Sequence, residues 1–414
     1  MNAAPTSVAV VGAGMVGLST AWFLQDHGVD VTVVDSVGPA AGASWGNAGW
    51  ITPTLSTPLT DPSMLTYGLR SLLSPTSPLY IPPRPDPKLF GFLARMARNS
   101  TTARWKAGVR ALAEINREAL DAFDAMADGG VDGPIEAADD FLFAYTDPAG
   151  PQGMVDEGRK ITSLGQQVDI DLISADEARA RAPMLTEKIR GALMLRGQRF
   201  LNPPDYVAAV ADSFVARGGT LRTGTTITSV DDRGVRVRIA GPTMDESFDS
   251  VVVATGVGLP ALTKQYGVTT RVRAGRGYSF AVDVDDLPPG PVYFPGSSVV
   301  CTPLGDRMRI AGMMEFGRHG DPVDQRRIGA IVESVRPLLR GVSLDDRREE
   351  WVGSRPCTQD GLPIVGRTRS PRVFVAGGHA MEGMTLGPAT GRLLAETICT
   401  GVTPSALAGF DPLR

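Results

Sequence analysis

Two stretches of this 414-residue chain carry residue types whose spacing can do chemistry. The first is Gly12-Ala13-Gly14-Met15-Val16-Gly17, which follows the apolar run Val8 to Val11 and opens a helical pattern reaching about His27. There Gly12 allows a tight turn, Gly14 lets backbone approach a pyrophosphate, and Gly17 lets helix lie close to strand. The helix N-terminus offers free N–H groups and a positive dipole end to phosphate. A second strand, Val31 to Val34, ends at Asp35, where a carboxylate can accept ribose hydroxyl protons, and no arginine follows closely enough to favour a 2′-phosphate. The unit is expected to bind a dinucleotide. By itself it leaves NAD and FAD open.

The second stretch runs from Trp351 to Gly366 and resumes at Gly378-His379, with Gly383, Met384, Thr385 and Gly391 beyond. A final helix, expected from about Leu386 to Cys399, would point its N–H groups at whatever binds near Gly383. That is a second place to hold partial negative charge, suited to N1 and the C2 carbonyl of a reduced flavin. Histidine is scarce, His27, His319 and His379 being the whole set, which argues against a metal site or a His-based triad. Cys301, Cys357 and Cys399 form no metal-ligand pattern and read as small buried hydrophobes in a reducing compartment.

A chain of this length exceeds one ordinary core, so a large cofactor domain plus a second domain is expected. Hydrophobic residues at 43% and charged residues at 21% are those of a globular protein. The net charge of −4 supplies no basic excess to replace phosphate counterions, so no nucleic-acid partner is expected. Met1 to Ser7 lack a basic signal region, and no run is long enough to span a bilayer, so a cytoplasmic protein is expected.

The elements that must position these residues follow in order. Ser44 to Pro53, containing Asn47-Ala48-Gly49, is a small-residue turn, and Thr54 to Pro87 is a proline-rich loop of the kind that serves as a lid. Lys88 to Arg98 reads as a basic amphipathic helix, packed on its own protein or, through 61–98, resting peripherally at the inner face of a membrane. One helix is expected through Val109, Leu112, Ile115, Leu120, Phe123 and Met126, ending at Gly129-Gly130. Phe141 to Tyr145 is a strand, Pro151 to Gly165 a helix, Ser174 to Arg181 a helix with a capping box, and Pro204 to Arg217 another helix. A meander begins at Thr225. The buried strand Val251 to Gly256 then restores a parallel sheet and ends in the small turn Ala254-Thr255-Gly256, which makes the cofactor domain discontinuous. From Arg271 an antiparallel sheet is expected, covered by a helix carrying Ile328, Ile331, Val332 and Val335. The chain is therefore α/β with a second, α+β unit.

Several motifs together resemble the D-amino-acid oxidase superfamily of FAD-dependent amine oxidoreductases, and within it the bacterial D-amino-acid dehydrogenases, over essentially the whole chain. The resemblance rests on the glycine motif with Asp35, Asn47-Ala48-Gly49 with Pro53, Gly277-Tyr278-Ser279, Trp351-x-Gly353-x-Arg355-Pro356 running into Asp360-Gly361-x-Pro363-x-x-Gly366, and Gly378-His379 with Gly383 and Gly391. It implies a Rossmann-like, glutathione-reductase-like FAD domain drawn from 1–60, 151–265 and 345–414, and an α+β substrate domain from 61–150 and 266–344. The cofactor is then FAD, met by Gly12 to Gly17, Asp35, Ser36, Ser44, Asn47 to Gly49, Ile227 at the adenine, Ala254 to Gly256, Gly378 and Gly383 to Thr385. Arg355 matches the arginine that clamps a substrate carboxylate, whereas an isolated arginine is commonly a surface ion pair. Tyr278 and His379 are expected as pocket residues.

Two positions depart from the family. Glu382 puts a carboxylate where small or apolar residues are usual, either to select a distal polar group or to face solvent. Relatives with covalent flavin attach it through a cysteine, and Gly353 stands in that place, so the flavin is expected to be non-covalent. The implied reaction is hydride transfer from the Cα of a D-amino acid, with an imine hydrolysed to 2-oxo acid and ammonia, and with oxygen or a quinone as final acceptor. Such chemistry needs placement more than acid–base machinery. Alternatives are a secondary amine such as D-hydroxyproline, proline, sarcosine or glycine, an NAD-dependent dehydrogenase, and a flavin-bearing binding protein.

Overall fold

A computed structural model describes residues 4–63, 74, 76–138 and 141–414, and among these the strands gather into two large sheets and two small ones. At the centre of the first lies Ser7–Val11, parallel to Asp30–Val34 on one side and to Ser250–Val253 on the other. The sheet runs Thr220–Arg222, Asp30–Val34, Ser7–Val11, Ser250–Val253, Val373–Gly377, Ile364–Arg367. Its inner strands are almost pure valine and alanine because both faces are covered. Val8 and Val10 join the core beneath the helices, while Ala9 and Val11 join the core beneath the meander, as a side-chain period of two requires.

The helices on the first face are Met15–Asp26 and Gly383–Thr400. They cross so closely that a Cβ on Gly387 would stand 2.7 Å from Cγ of Met15, and one on Gly391 would stand 2.6 Å from the backbone of Ser19. Two helices separated by nearly the whole chain thereby start side by side, with both N-termini at the C-terminal edge of the parallel strands. The meander Ser229–Asp232, Val237–Gly241, Met244–Phe248 covers the other face. It begins later than expected from Thr225, because Thr225 uses its N–H on the carbonyl of Asp35 rather than in the ladder.

The second large sheet has nine strands among the described residues, with Arg348–Thr358, Val272–Val282 and Arg307–Phe316 adjacent at one end. It is largely antiparallel, though Val292–Phe294 pairs parallel with Phe141–Tyr145, and Leu79–Tyr80 pairs parallel with Arg307–Phe316. The helix Gln325–Val335 buries Ile328, Ile331, Val332 and Val335 against it.

The cores divide the chain differently from the expected ranges. The single helix expected through Val109 to Met126 breaks at Glu118 into Thr102–Arg117 and Ala119–Asp128. Its start, at Trp105 and Val109, packs on Ile161 and Leu164, whereas Leu112, Ile115, Phe123 and Met126 enter the core of the six-stranded sheet. Conversely, Gly150–Thr162, Ile170–Ile173 and Gly191–Leu195 belong with the nine-stranded sheet rather than the cofactor sheet. An amphipathic pattern shows that a face will be buried, not which sheet will bury it.

Pro87–Asn99 forms the expected amphipathic helix, and its apolar face is used internally: Leu89, Phe92 and Met96 pack on Leu79, Met314 and Phe316. Phe90, Lys88 and Arg95 remain outside. Residues 64–73 and Pro75 of the proline-rich segment lie outside the described residues.

Candidate active site

The glycine loop builds the first half of the site. Gly12 adopts φ +117°, and a Cβ there would meet the carbonyl oxygen of Ala254 at 2.5 Å. A Cβ on Gly17 would stand 1.9 Å from the Gly12 oxygen, so helix and loop touch through glycine alone. Gly14 differs: the nearest atom to its Cβ position is Ser44 Oγ at 3.5 Å, and Gly14 and Val16 keep accessible surface in a stretch otherwise buried. Ser44 Oγ accepts the N–H of Met15 at 3.3 Å, in the first turn of the helix.

Asp35 has backbone partners of its own. Its Oδ2 accepts the Ala13 N–H at 2.9 Å, and its Oδ1 accepts those of Val37 and Gly38, so the carboxylate ties the loop to the end of the second strand. The Thr225 N–H to Asp35 bond brings the segment leading to half-exposed Ile227 to the same end. Ser36 is exposed beside it.

The small-residue turn leads onward. Asn47 Oδ1 accepts the Gly49 N–H at 2.8 Å, and Gly49, at φ +79°, leaves no room for a Cβ beside the Leu201 oxygen. Thr385 Oγ1 donates to the Trp50 carbonyl at 3.1 Å and accepts from Thr52 N at 3.4 Å, fastening this turn to the start of the last helix. Met384 is buried, and Gly378, at φ +75°, lies against Thr358 and Ile364.

Two side chains hold the turn from the nine-stranded sheet: Ser279 of the Gly277-Tyr278-Ser279 motif, and Arg309, which no motif marks. Ser279 Oγ donates to the Gly46 carbonyl at 2.9 Å. The buried Arg309 guanidinium donates to the carbonyls of Trp45 and Asn47 at 3.1 and 3.3 Å, and burial pulls its pKa below the ordinary guanidinium value. The available signal was an arginine set between Met308 and Ile310 in the strand Arg307 to Met313.

Arg355 lies on a floor made by glycine. A Cβ on Gly277 would strike its guanidinium at 2.2 Å, and the neighbouring pair across the ladder is Gly277 with Gly353. Trp351 lies over Gly353 and Gly46, closing one side. Arg355 Nη1 donates to the Met313 carbonyl at 3.0 Å, and Met313 is held at φ +63°. Burial lowers the Arg355 pKa, against the raising effects of Cys357 and the Glu382 carboxylate. It forms no ion pair among the described residues and retains accessible surface, which leaves its planar fork available to a carboxylate.

Tyr278 does not belong to this pocket. Alternation along Val272–Val282 puts it on the opposite face from Gly277 and Ser279, in the core with Phe280, Val282 and Ile328. Its hydroxyl donates to Glu315 Oε2 at 2.8 Å, Glu315 pairs with Arg276 at 3.1 Å, and burial beside Glu315 pushes the phenol pKa upward. His379 also has a structural setting. It is 4% exposed, its Nε2 bonds Thr390 Oγ1 at 2.9 Å, and burial lowers its pKa to about 4, so it is a neutral hydrogen bonder at ordinary pH.

Glu382 faces the protein. It occupies the position before the last helix, but its side chain bonds no helix N–H; Oε2 instead accepts the Ser56 hydroxyl at 2.5 Å. Burial raises its pKa to about 7, against the lowering effects of Ser56 and Arg355.

These residues fit an FAD. Asp35, Ile227, Gly14, Val16, Ala254 to Gly256, Ser44, Asn47, Ala48 and Gly383 all keep accessible surface. Thr255 Oγ1 in that set is buried without a hydrogen-bond partner among the described residues. Two helix N-termini belong to it, suited to the pyrophosphate and to charge at the flavin's pyrimidine edge.

Comparison with known proteins agrees with this geometry. The model of the DAO family, FAD dependent oxidoreductase, matches residues 7–397. A D-amino acid dehydrogenase of Xanthobacter autotrophicus is 30% identical over 407 residues, covering 94% of each chain. One from Cereibacter sphaeroides is 31% identical over 405 residues, covering 94% of this chain and 91% of that protein. Among solved structures, glycine oxidase from Bacillus cereus superposes with a TM-score of 0.74 at 19% identity, covering 99% of each chain. L-proline dehydrogenase from P. horikoshii superposes at 0.75 with 16% identity, covering 100% of this chain and 98% of that one. The glycine loop, the helix pair and the match over residues 7–397 lead to one conclusion: this chain belongs to the DAO family of FAD-dependent oxidoreductases.

Proposed function

We propose that the protein oxidises the α-amine of a D-amino acid, yielding a 2-oxo acid and ammonia after hydrolysis of the imine. The observation that carries this reading is Arg355, an arginine without an ion pair among the described residues, set on the Gly277–Gly353 floor beside the turn and helix that suit a flavin. Relatives at 30 and 31% identity are D-amino acid dehydrogenases, which favours this substrate class.

Bound FAD supplies the acceptor for a hydride equivalent from the substrate's Cα. The chain's own residues then have three tasks. Arg355 fixes the carboxylate with two parallel N–H donors and so limits how Cα can lie. Ser279 and Arg309 hold the Trp45–Asn47 backbone, and Thr385 holds the turn beyond it, so the wall facing the substrate is set before binding. Trp351 covers the glycine floor and reduces access of water on that side.

The flavin is non-covalent in this reading: Gly353 offers no thiol, and Cys357 is fully buried, its pKa raised to about 12. Acid precipitation should release the flavin into the supernatant. For the electron acceptor, a quinone is favoured over oxygen by the dehydrogenase relatives; rapid peroxide formation would overturn that part. Any membrane contact would use the outer face of Pro87–Asn99, at Lys88, Phe90 and Arg95, since the apolar face is already packed. The decisive test of the activity is anaerobic titration with D- and L-amino acids and N-methylated analogues while following flavin absorbance. Bleaching by D-amino acids supports the reading, and bleaching confined to L-amino acids or N-methylated amines sinks it.

A further inference from the structure

Arg355 and Glu382 stand on two segments that the Ala380 N–H joins to the Pro356 carbonyl at 3.2 Å, and these opposite charges do not neutralise each other. Each influences the other's titration, yet among the described residues neither forms an ion pair within 4.0 Å. Arg355 spends one donor on the Met313 carbonyl, and Glu382 accepts one bond from Ser56. Both keep accessible surface, so each has capacity left for a ligand. Leaving two partly desolvated charges unpaired is costly unless something else pairs with both. An amino acid carries the two charges required, on groups attached to one carbon.

We propose that Glu382 binds the substrate's α-ammonium and takes its proton, so that Arg355 and Glu382 together read a zwitterion. This rests on the amino-acid reading above and adds a catalytic residue to it. The step balances simply. One N–H bond of the ammonium breaks, its proton forms an O–H bond on Glu382, and a neutral amine and a neutral carboxyl remain. The freed lone pair is what oxidation of the Cα–N bond requires, because an ammonium nitrogen has none with which to form C=N. The proton later leaves Glu382 for solvent, restoring the carboxylate.

The surroundings suit that role. Ser56, 0% exposed, holds Oε2 and fixes the carboxylate's direction, while no helix N–H competes for it. Leu59, Leu112, Pro363, Met381 and Leu386 line a small cavity that Glu382 and His379 border, and contribute no charge. The ionisable groups that act on Glu382 are Arg355 from the strand Arg348–Thr358, through its charge, and His379 from the preceding turn, which shares the cavity and is uncharged near neutrality. With the Glu382 pKa raised to about 7 by burial, the carboxyl can both accept and release a proton at working pH.

The test uses the flavin-loaded protein. In the wild type, the anaerobic bleaching rate should rise with pH through about 7, as Glu382 ionises. Glu382→Gln keeps the shape and a bond to Ser56; it should remove that rise and slow bleaching at pH 8 about 100-fold, leaving dependence only on free amine in solution. A second readout is binding of a simple aliphatic carboxylate without an amine, followed by the shift it causes in the flavin spectrum. Glu382→Gln should bind it as well as or better than the wild type, since a like charge is gone. A variant with the wild-type pH profile and a rate within threefold, or one that loses carboxylate and amino acid affinity equally, overturns the proposal. Should Glu382→Gln fail to hold flavin, Ser56→Ala decides, because removing the hydroxyl should move the rise to higher pH, and an unmoved rise overturns the assignment. If no amino acid bleaches the wild type, the activity reading fails by itself, while the carboxylate-binding comparison still judges Glu382.

Discussion

The two halves of the site are built in opposite ways. The dinucleotide end depends on backbone: Gly12, Gly14 and Gly17 are neighbours in sequence, and what matters is the side chain they lack. The end proposed for the substrate depends on side chains from distant segments, with Arg355 on one strand, Glu382 ahead of the last helix, and Ser56 and Ser279 from elsewhere. A local backbone device is visible in a motif and indifferent to the reaction. An assembled side-chain device is specific to the reaction and hard to see before folding.

Substitutions can break this contrast, beginning with the largest effect. Gly17→Val places a Cβ about where the Gly12 oxygen already stands, 1.9 Å away. It should cost at least about 4 kcal/mol in stability and abolish flavin retention together, read by denaturant unfolding and flavin content. If the variant folds normally and merely loses flavin, anchoring and folding are separable and the contrast weakens.

Arg355→Lys should do the reverse. Flavin content and unfolding stay near the wild type, while the amino acid concentration for half-bleaching rises by about 100-fold, because an ammonium cannot reproduce the planar fork. An unchanged titration would remove Arg355 from the site.

His379 separates fold from chemistry by pH. Its pKa in the folded chain, about 4, lies below the ordinary 6.5. The unfolded chain therefore takes up the proton first, so the His379 contribution to stability is intact above 6.5 and declines as pH falls toward 4. In denaturant midpoints measured across that window, His379→Asn should flatten part of the decline. A slope identical to the wild type would refute the buried neutral assignment.

Tyr278→Phe strips Glu315 of one donor and leaves the pocket face of the strand untouched. About 1–3 kcal/mol of stability should be lost, with the half-bleaching concentration unchanged. A raised concentration at constant stability would return Tyr278 to the pocket. The smallest effect is expected at Phe90→Ser on the outer face, within about 0.5 kcal/mol of wild-type stability. Sedimentation with anionic vesicles checks whether the same change releases the protein from lipid.

Much of the architecture was legible, since valine runs, glycine stops and period-two or period-3.6 patterns respond to water and backbone geometry alone. The strand Ser7–Val11, the cap at Ser174 and the face of Gln325–Val335 appear where those rules put them. Tyr278 was misplaced because the resemblance supplied a residue and a neighbourhood but not the parity of the strand. The break at Glu118 escaped because one continuous apolar stripe meets two different surfaces. Arg309 and Ser56 escaped because an arginine in a strand and a serine in a loop have no meaning until something packs over them.

By itself, then, the sequence determined that a parallel sheet would carry the Gly12 to Gly17 turn and the helix that follows it. Those requirements are local: a turn, a close approach and a helix end are properties of adjacent residues. Only the tertiary structure decided which charges act on one another. It turned Tyr278 away, made His379 a neutral packing group, and brought Arg355 and Glu382 together. Desolvation and pairing depend on every element packed around a group, and no stretch of sequence contains them.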